Sequence, residues 1–186
     1  MDCRGFADAE QMNEHMISQW NSRVKSKDEV VILGDFSLGN AEETNRVLSR
    51  LKGTLYLIEG NHDRYLKKSD FHRERFVWIK PYAEMHDNQR KVVLSHYPVF
   101  CYNGQYRKNK KGEPTTYMLY GHVHNTLDET LVRQFCAITK QTLRRSKYEE
   151  NAVPIPCNMI NCFCMFSDYI PLTLDEWIEN SKNRES

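Results

Sequence analysis

Four short apolar runs, each leading into a residue that can hold a metal ion, constrain this chain more than any other feature. Val30-Val31-Ile32-Leu33 runs into Gly34-Asp35, and Leu55-Tyr56-Leu57-Ile58 into Gly60-Asn61-His62-Asp63. Val92-Val93-Leu94 runs into Ser95-His96, and Tyr117-Met118-Leu119-Tyr120 into Gly121-His122-Val123-His124. Apolar runs of this length bounded by glycine read as buried strands. As strands of one sheet, they would bring Asp35, Asn61, His62, His96, His122 and His124 to a common rim. Open α/β sheets bind ligands at that rim. A mixed imidazole and oxygen cluster suits a transition metal, and such sites commonly carry out hydrolysis.

The rest of the chain narrows the class. Its 186 residues read as a single domain over 1–186 with room for a proper core. Lys and Arg number 26 against 25 Asp and Glu, so no global field argues for a nucleic-acid or a strongly basic partner. Met1-Asp2-Cys3-Arg4-Gly5 lacks a secretion pattern, and no apolar run approaches the ~18 residues of a membrane span. A cytoplasmic protein is expected, with the six cysteines as reduced thiols. A structural zinc on Cys157, Cys162 and Cys164 would have no recognised spacing.

Along the chain, Asp8 with Gln11 marks a first helix carrying Met12, Met16, Ile17 and Trp20 as its apolar stripe. Asn40 with Glu43 opens a second helix that stops at Gly53. With the strands on either side, this is a β-α-β unit, expected to be parallel and right-handed. Trp78-Ile79-Lys80-Pro81 reads as loop or edge strand. Tyr82 to Met85 and Lys91 to Leu94 flank a hairpin turn at 87–90. Asn103 to Pro114 is a basic exposed loop, 127–147 a helix, and Met159 to Phe166 an apolar strand. Thr173 and Glu176 cap a last helix through Ile178.

Taken singly, each rim residue has a plainer reading. Asp35 could bridge two cations or merely cap a turn. Asn61 offers an uncharged ligand oxygen or is a turn residue. His96 could be a ligand or a hydrogen-bonded structural histidine. His122 and His124, two apart, point the same way in extended chain, which is the more specific signal. Their joint recurrence at strand ends is what carries weight.

Gly34-Asp35, Gly60-Asn61-His62-Asp63, Ser95-His96 and Gly121-His122-Val123-His124 resemble, in order and spacing, signature blocks of the calcineurin-like metallophosphoesterases, most closely the small bacterial and phage type. The resemblance covers most of the chain, from about Phe6 to Trp177. It implies an α/β protein (α+β in some schemes), a two-sheet β-sandwich flanked by helices, with a two-metal site at one sheet edge. It implies a metal-dependent hydrolase that cleaves phosphodiesters or phosphomonoesters by attack of a metal-bound hydroxide. Asp35 would bridge both metals. Asn61, His96 and His122 would complete the second, and His124 would bind the first. His62 would sit over the scissile phosphate as general acid, oriented by Asp63. The cofactor would be a divalent transition metal, manganese, iron, zinc or nickel, one or two per chain.

One block departs from the family. Members begin with a strand ending in Asp-x-His, and before Asp8 this chain has no such strand. Relative to the family the domain therefore reads as N-terminally truncated, with the first strand missing. A strong second site and a weak or empty first site are expected. A neighbouring strand edge would be left unpaired, a route to homo-oligomers. The competing function is a catalytically impaired, single-metal protein that binds phosphate groups or a partner. Arg107, Lys108, Lys110 and Lys111, with Tyr97, Tyr102 and Tyr106, leave a nucleic acid or nucleotide substrate open alongside a plain phosphate ester.

Overall fold

The computed structural model describes residues 5–145 and 151–185. Asp2, Cys3, Arg4 and Lys147, each part of an expectation above, lie outside the described residues.

Local chemistry sets the elements. The Asp8 carboxylate accepts the Gln11 N–H at 2.8 Å and opens α1 (Ala9–Arg23). Asn40 and Glu43 form a full capping box, each side chain accepting the other's backbone N–H, at the start of α2 (Ala41–Leu48). α3 spans Leu127–Gln141 and α4 spans Leu174–Glu185. The expected helix to residue 147 thus stops short. Thr142 is extended, and residues 143–144 pair with 153–154 as the ribbon β7 (Leu143–Arg144) and β8 (Val153–Pro154).

The strands divide between two sheets, which corrects the reading of a single rim on one sheet. β1 (Glu29–Ile32), β2 (Thr54–Ile58) and β3 (Phe76–Lys80) lie side by side in that order, all parallel. Trp78 to Lys80 is therefore edge strand rather than loop. β4 (Tyr82–Asp87), β5 (Arg90–Ser95), β6 (Thr116–Tyr120) and β9 (Met159–Asn161) form the second sheet. It is antiparallel at β4–β5 and parallel from β5 onward. The β4–β5 turn places Asn88 at φ 44° and Gln89 at φ 67°, the two positive angles of a type I′ hairpin.

Alternation along each strand builds the layers. Leu55 and Leu57 of β2 pack with Leu48 and Phe76 under α2, while Ile58 turns to the opposite face. Val93 of β5, with Met118 and Tyr120 of β6, packs against Val132 of α3. Val92, Leu94 and Leu119 face Ile58 across the space between the sheets, with Trp177 of α4 closing it. The result is a two-sheet sandwich with a helix on each outer face. Leu55, Leu57, Ile58, Val93 and Met118 are fully enclosed, and burial of each contributes about 1.5–3 kcal/mol. Among the described residues, no helix is long and apolar enough to cross a membrane.

β9 ends earlier than the apolar run in the sequence. The Asn161 side chain accepts the Phe163 N–H at 3.0 Å and turns the chain into a short 3-10 segment at Cys164–Ser167. Residues 106–113 are exposed, as expected, but Tyr102 and Gln105 before them are buried anchors. His15 of α1 is half-buried between the rings of Phe6 and Tyr169.

Candidate metal centre

The ends of β1, β2, β5 and β6 meet where the two sheets touch. Two glycines make the approach close enough. A Cβ at Gly34, which has φ +86°, would lie 2.4 Å from His96 Nδ1 and 2.8 Å from the Cα of Gly60. A Cβ at Gly60 would lie 2.3 Å from both the backbone N and Oδ1 of Asp35. Real side chains cannot come that near, so glycine is required at both positions. Past Gly34 the chain bends through Asp35 in the left-handed region, φ 51°.

A buried carboxylate fixes this bend. Asp63, 3% exposed, accepts the N–H groups of Asp35 at 2.9 Å, Phe36 at 2.8 Å and Gly60 at 2.8 Å, and the Tyr65 hydroxyl at 2.9 Å. A carboxylate offers about four lone-pair sites, so these donors saturate it. The expected role of Asp63, orienting His62, gives way to another. It clamps the Asp35 bend to the Gly60 turn. Burial, then the Asp63 charge beside it, pushes the Tyr65 hydroxyl far above its ordinary range. It stays a proton donor.

His96, 2% exposed, is the hub. Its Nδ1 lies 2.8 Å from the Leu33 carbonyl, which can only accept, so Nδ1 carries the proton. In the neutral ring, Nε2 is then a bare lone pair. Around it stand Asn61 Oδ1 at 3.0 Å, Asp35 Oδ2 at 3.2 Å and His122 Nδ1 at 3.2 Å. A proton on Nε2 can serve one of these neighbours. A divalent cation can serve all four donors at once, and the set of one carboxylate, one amide oxygen and two imidazoles fits such an ion. Asp35, His96 and His122 each bring a ligand atom within 4.8 Å of the others.

The titration tendencies follow from the same contacts. Burial opposes ionisation of Asp35, but the His96 hydrogen bond and the His62 N–H outweigh it and lower its pKa. Burial likewise opposes a charged His96, but the Asp35 hydrogen bond and the Leu33 carbonyl raise its pKa. His122 is lowered, first by burial and then by the neighbouring His96 charge. Both causes favour the neutral ring.

The remaining expected residues lie around this cluster. The His62 N–H donates to Asp35 Oδ1 at 2.7 Å, and the residue is exposed at the rim. His124 does not join the cluster. His122 and His124 both have left-handed backbone, at φ 63° and 50°, so the extended geometry that would aim them together is absent. The His124 ring instead stacks on Phe163, with centroids 4.6 Å apart and planes 14° apart. Of the three tyrosines, Tyr97 is exposed and packs on the His122 ring at 4.5 Å. Tyr102 is buried. Tyr106 is exposed under the Arg144 guanidinium at 3.9 Å.

Sequence reasoning missed Asn161 and Glu129, which support the His124 backbone. The signal was present: an asparagine inside the apolar run Met159-Ile160-Asn161-Cys162-Phe163 is out of place unless it has a task.

The fold brings Asp35, His96 and His122 together as a group that could hold a metal ion where the two sheets meet. The chain belongs to the calcineurin-like phosphoesterase superfamily, whose domain matches residues 11–138. An uncharacterized protein of Methanocaldococcus jannaschii is 32% identical over 129 residues, a match covering 68% of this chain and 61% of that relative's length. The fold is shared with a crystal structure of a protein of unknown function from Aquifex aeolicus, at TM-score 0.59 and 19% identity. That match covers 92% of this chain and 86% of the other.

Proposed function

We propose that this chain is a metal-dependent phosphoesterase acting on phosphodiesters or phosphomonoesters. The observation that carries the reading is the convergence of Asp35, Asn61 and His122 on Nε2 of His96. These four side chains would hold the second cation, with Asp35 shared toward a first cation beside His124. A bound divalent ion, manganese among the candidates, would draw charge from the phosphoryl oxygens and lower the pKa of a water.

The chain's own residues do the rest. Asp63 fixes the Asp35 bend, and the Leu33 carbonyl keeps the His96 proton on Nδ1. His62, tethered by its N–H to Asp35, stands at the exposed rim to give a proton to the leaving oxygen, an effect typically worth ~10²–10⁴-fold. Tyr97 offers an exposed ring beside the ligands for the organic part of an ester.

One observation favours the second reading, a single-cation protein that binds phosphate groups: among the described residues, Asp35, His96 and His122 form one group of three ligand-type side chains, and no second such group lies beside it. Hydrolysis of bis-p-nitrophenyl phosphate and p-nitrophenyl phosphate by Mn²⁺-loaded protein, with metal counted on the same sample, separates the two. His62→Ala should lower turnover ~10²–10⁴-fold with metal content unchanged. His96→Ala should lose the second cation. One bound metal per chain without turnover would replace the phosphoesterase reading with the binding one.

A further inference from the structure

We propose that Asn161 is a positioning residue for the first cation, holding His124 at the rim through both its backbone and its ring. The proposal rests on the reading of His124 as a ligand.

Asn161 is 2% exposed, at the end of β9. Its side-chain amide carries two protons, and the structure uses both. Nδ2 donates to the His124 carbonyl at 2.7 Å and to Glu129 Oε2 at 2.9 Å. The other end of the amide accepts the Phe163 N–H, and the Phe163 ring is the surface on which the His124 imidazole stacks. One side chain therefore sets the position of residue 124 twice. It grips the carbonyl directly and places the ring that fixes the imidazole.

Its own footing is rigid. Glu129, 5% exposed, also accepts the Tyr120 hydroxyl at 2.8 Å and Arg133 Nε at 3.0 Å. Arg184 Nη2 donates to the Asn161 carbonyl at 3.2 Å. A buried carboxylate with three donors is costly to assemble, and a well-packed apolar group in its place would cost less. What the polar network adds is direction. A residue held at φ 50° keeps its carbonyl out of the sheet ladder, and this part-buried carbonyl takes its donor from a side chain. Asn161 supplies it, in the manner of the outer partners that orient metal-bound histidines.

The experiment is a Mn²⁺ titration to millimolar by calorimetry, with metal counted. It uses the unaltered chain, His124→Ala, Asn161→Asp and the double variant Asn161→Asp/Glu129→Gln. Asn161→Asp sets a carboxylate against Glu129 and against the His124 carbonyl. The added Glu129→Gln removes the first repulsion and should restore most of the lost Tm, but it leaves the His124 carbonyl without its donor. We expect the double variant to bind the first cation about 10–100-fold more weakly and the second unchanged. Affinity that returns together with Tm would overturn the proposal, since the network would then serve the fold alone.

If neither Asn161 variant folds, hydrogen exchange of the Asn161 side-chain amide on the unaltered protein decides. Added Zn²⁺ should slow it about 10-fold or more, because coupling is reciprocal. Exchange indifferent to Zn²⁺ would overturn the proposal. An unaltered chain that takes one cation only, or His124→Ala with full first-site occupancy, would instead overturn the ligand reading and the proposal with it.

Discussion

Gly60 shows how little room the centre leaves. A methyl group there would press on both the amide and the carboxylate of Asp35, and Asp35 cannot retreat because Asp63 holds its N–H. Gly60→Ala should therefore weaken Mn²⁺ binding at least as much as loss of an outer partner does, about 10–100-fold, read by calorimetry beside circular dichroism. Unchanged affinity would mean that the turn relaxes and the clamp is loose. At this scale much was legible. Asp35, Asn61, His96 and His122 could be picked out because each residue type has a distinct ligating chemistry and each follows a strand. Asp63 was misread, since a sequence shows that a carboxylate is present but not which amides reach it. His124 was expected beside His122 because extended chain repeats every two residues, and left-handed backbone at both positions breaks that rule.

Helix starts and the β4–β5 hairpin were legible because their signals are local: a capping side chain reaches three residues, and a type I′ turn spans four. The end of α3 was not. Thr142 leaves the helix, and the pairing of Leu143 with Pro154 depends on a segment that local periodicity does not see. The hairpin also carries an acid-sensitive contact. Glu84 is held down to about 2, against an ordinary 4.5, by hydrogen bonds first from Lys91, then from Tyr82 and Asn103. Lys91 is itself buried. The folded pKa lies below the unfolded one, so this contribution to stability is complete above about 4.5 and is lost as pH falls toward about 2. Glu84→Gln should flatten the fall in stability across that window, measured by urea unfolding at stepped pH. An identical acid limb in the variant would show that the ion pair contributes nothing.

Across the whole molecule, the centre belongs to neither sheet alone. Asp35 and Asn61 follow strands of one, His96 and His122 strands of the other. Strand membership was not legible, because an apolar run announces burial but not its neighbours. A cation bound there would tie the sheets together, and ligand at ~100-fold its Kd stabilises by about 2.7 kcal/mol. A chelator should lower Tm by several degrees in the unaltered protein and by less in His96→Ala, measured by differential scanning calorimetry. An equal drop in both would place the stabilising ion elsewhere. The contact between the Leu33 carbonyl and His96 Nδ1 has a mechanical consequence as well. The sandwich works as a caliper whose jaws are the two sheets. At the set gap, the histidine of one jaw is locked to the carbonyl of the other and presents Nε2 to the rim. A change at a core residue such as Ile58 or Leu94 that altered the gap would unlatch the ring without touching a ligand, so packing between the sheets would tune the bite of the centre.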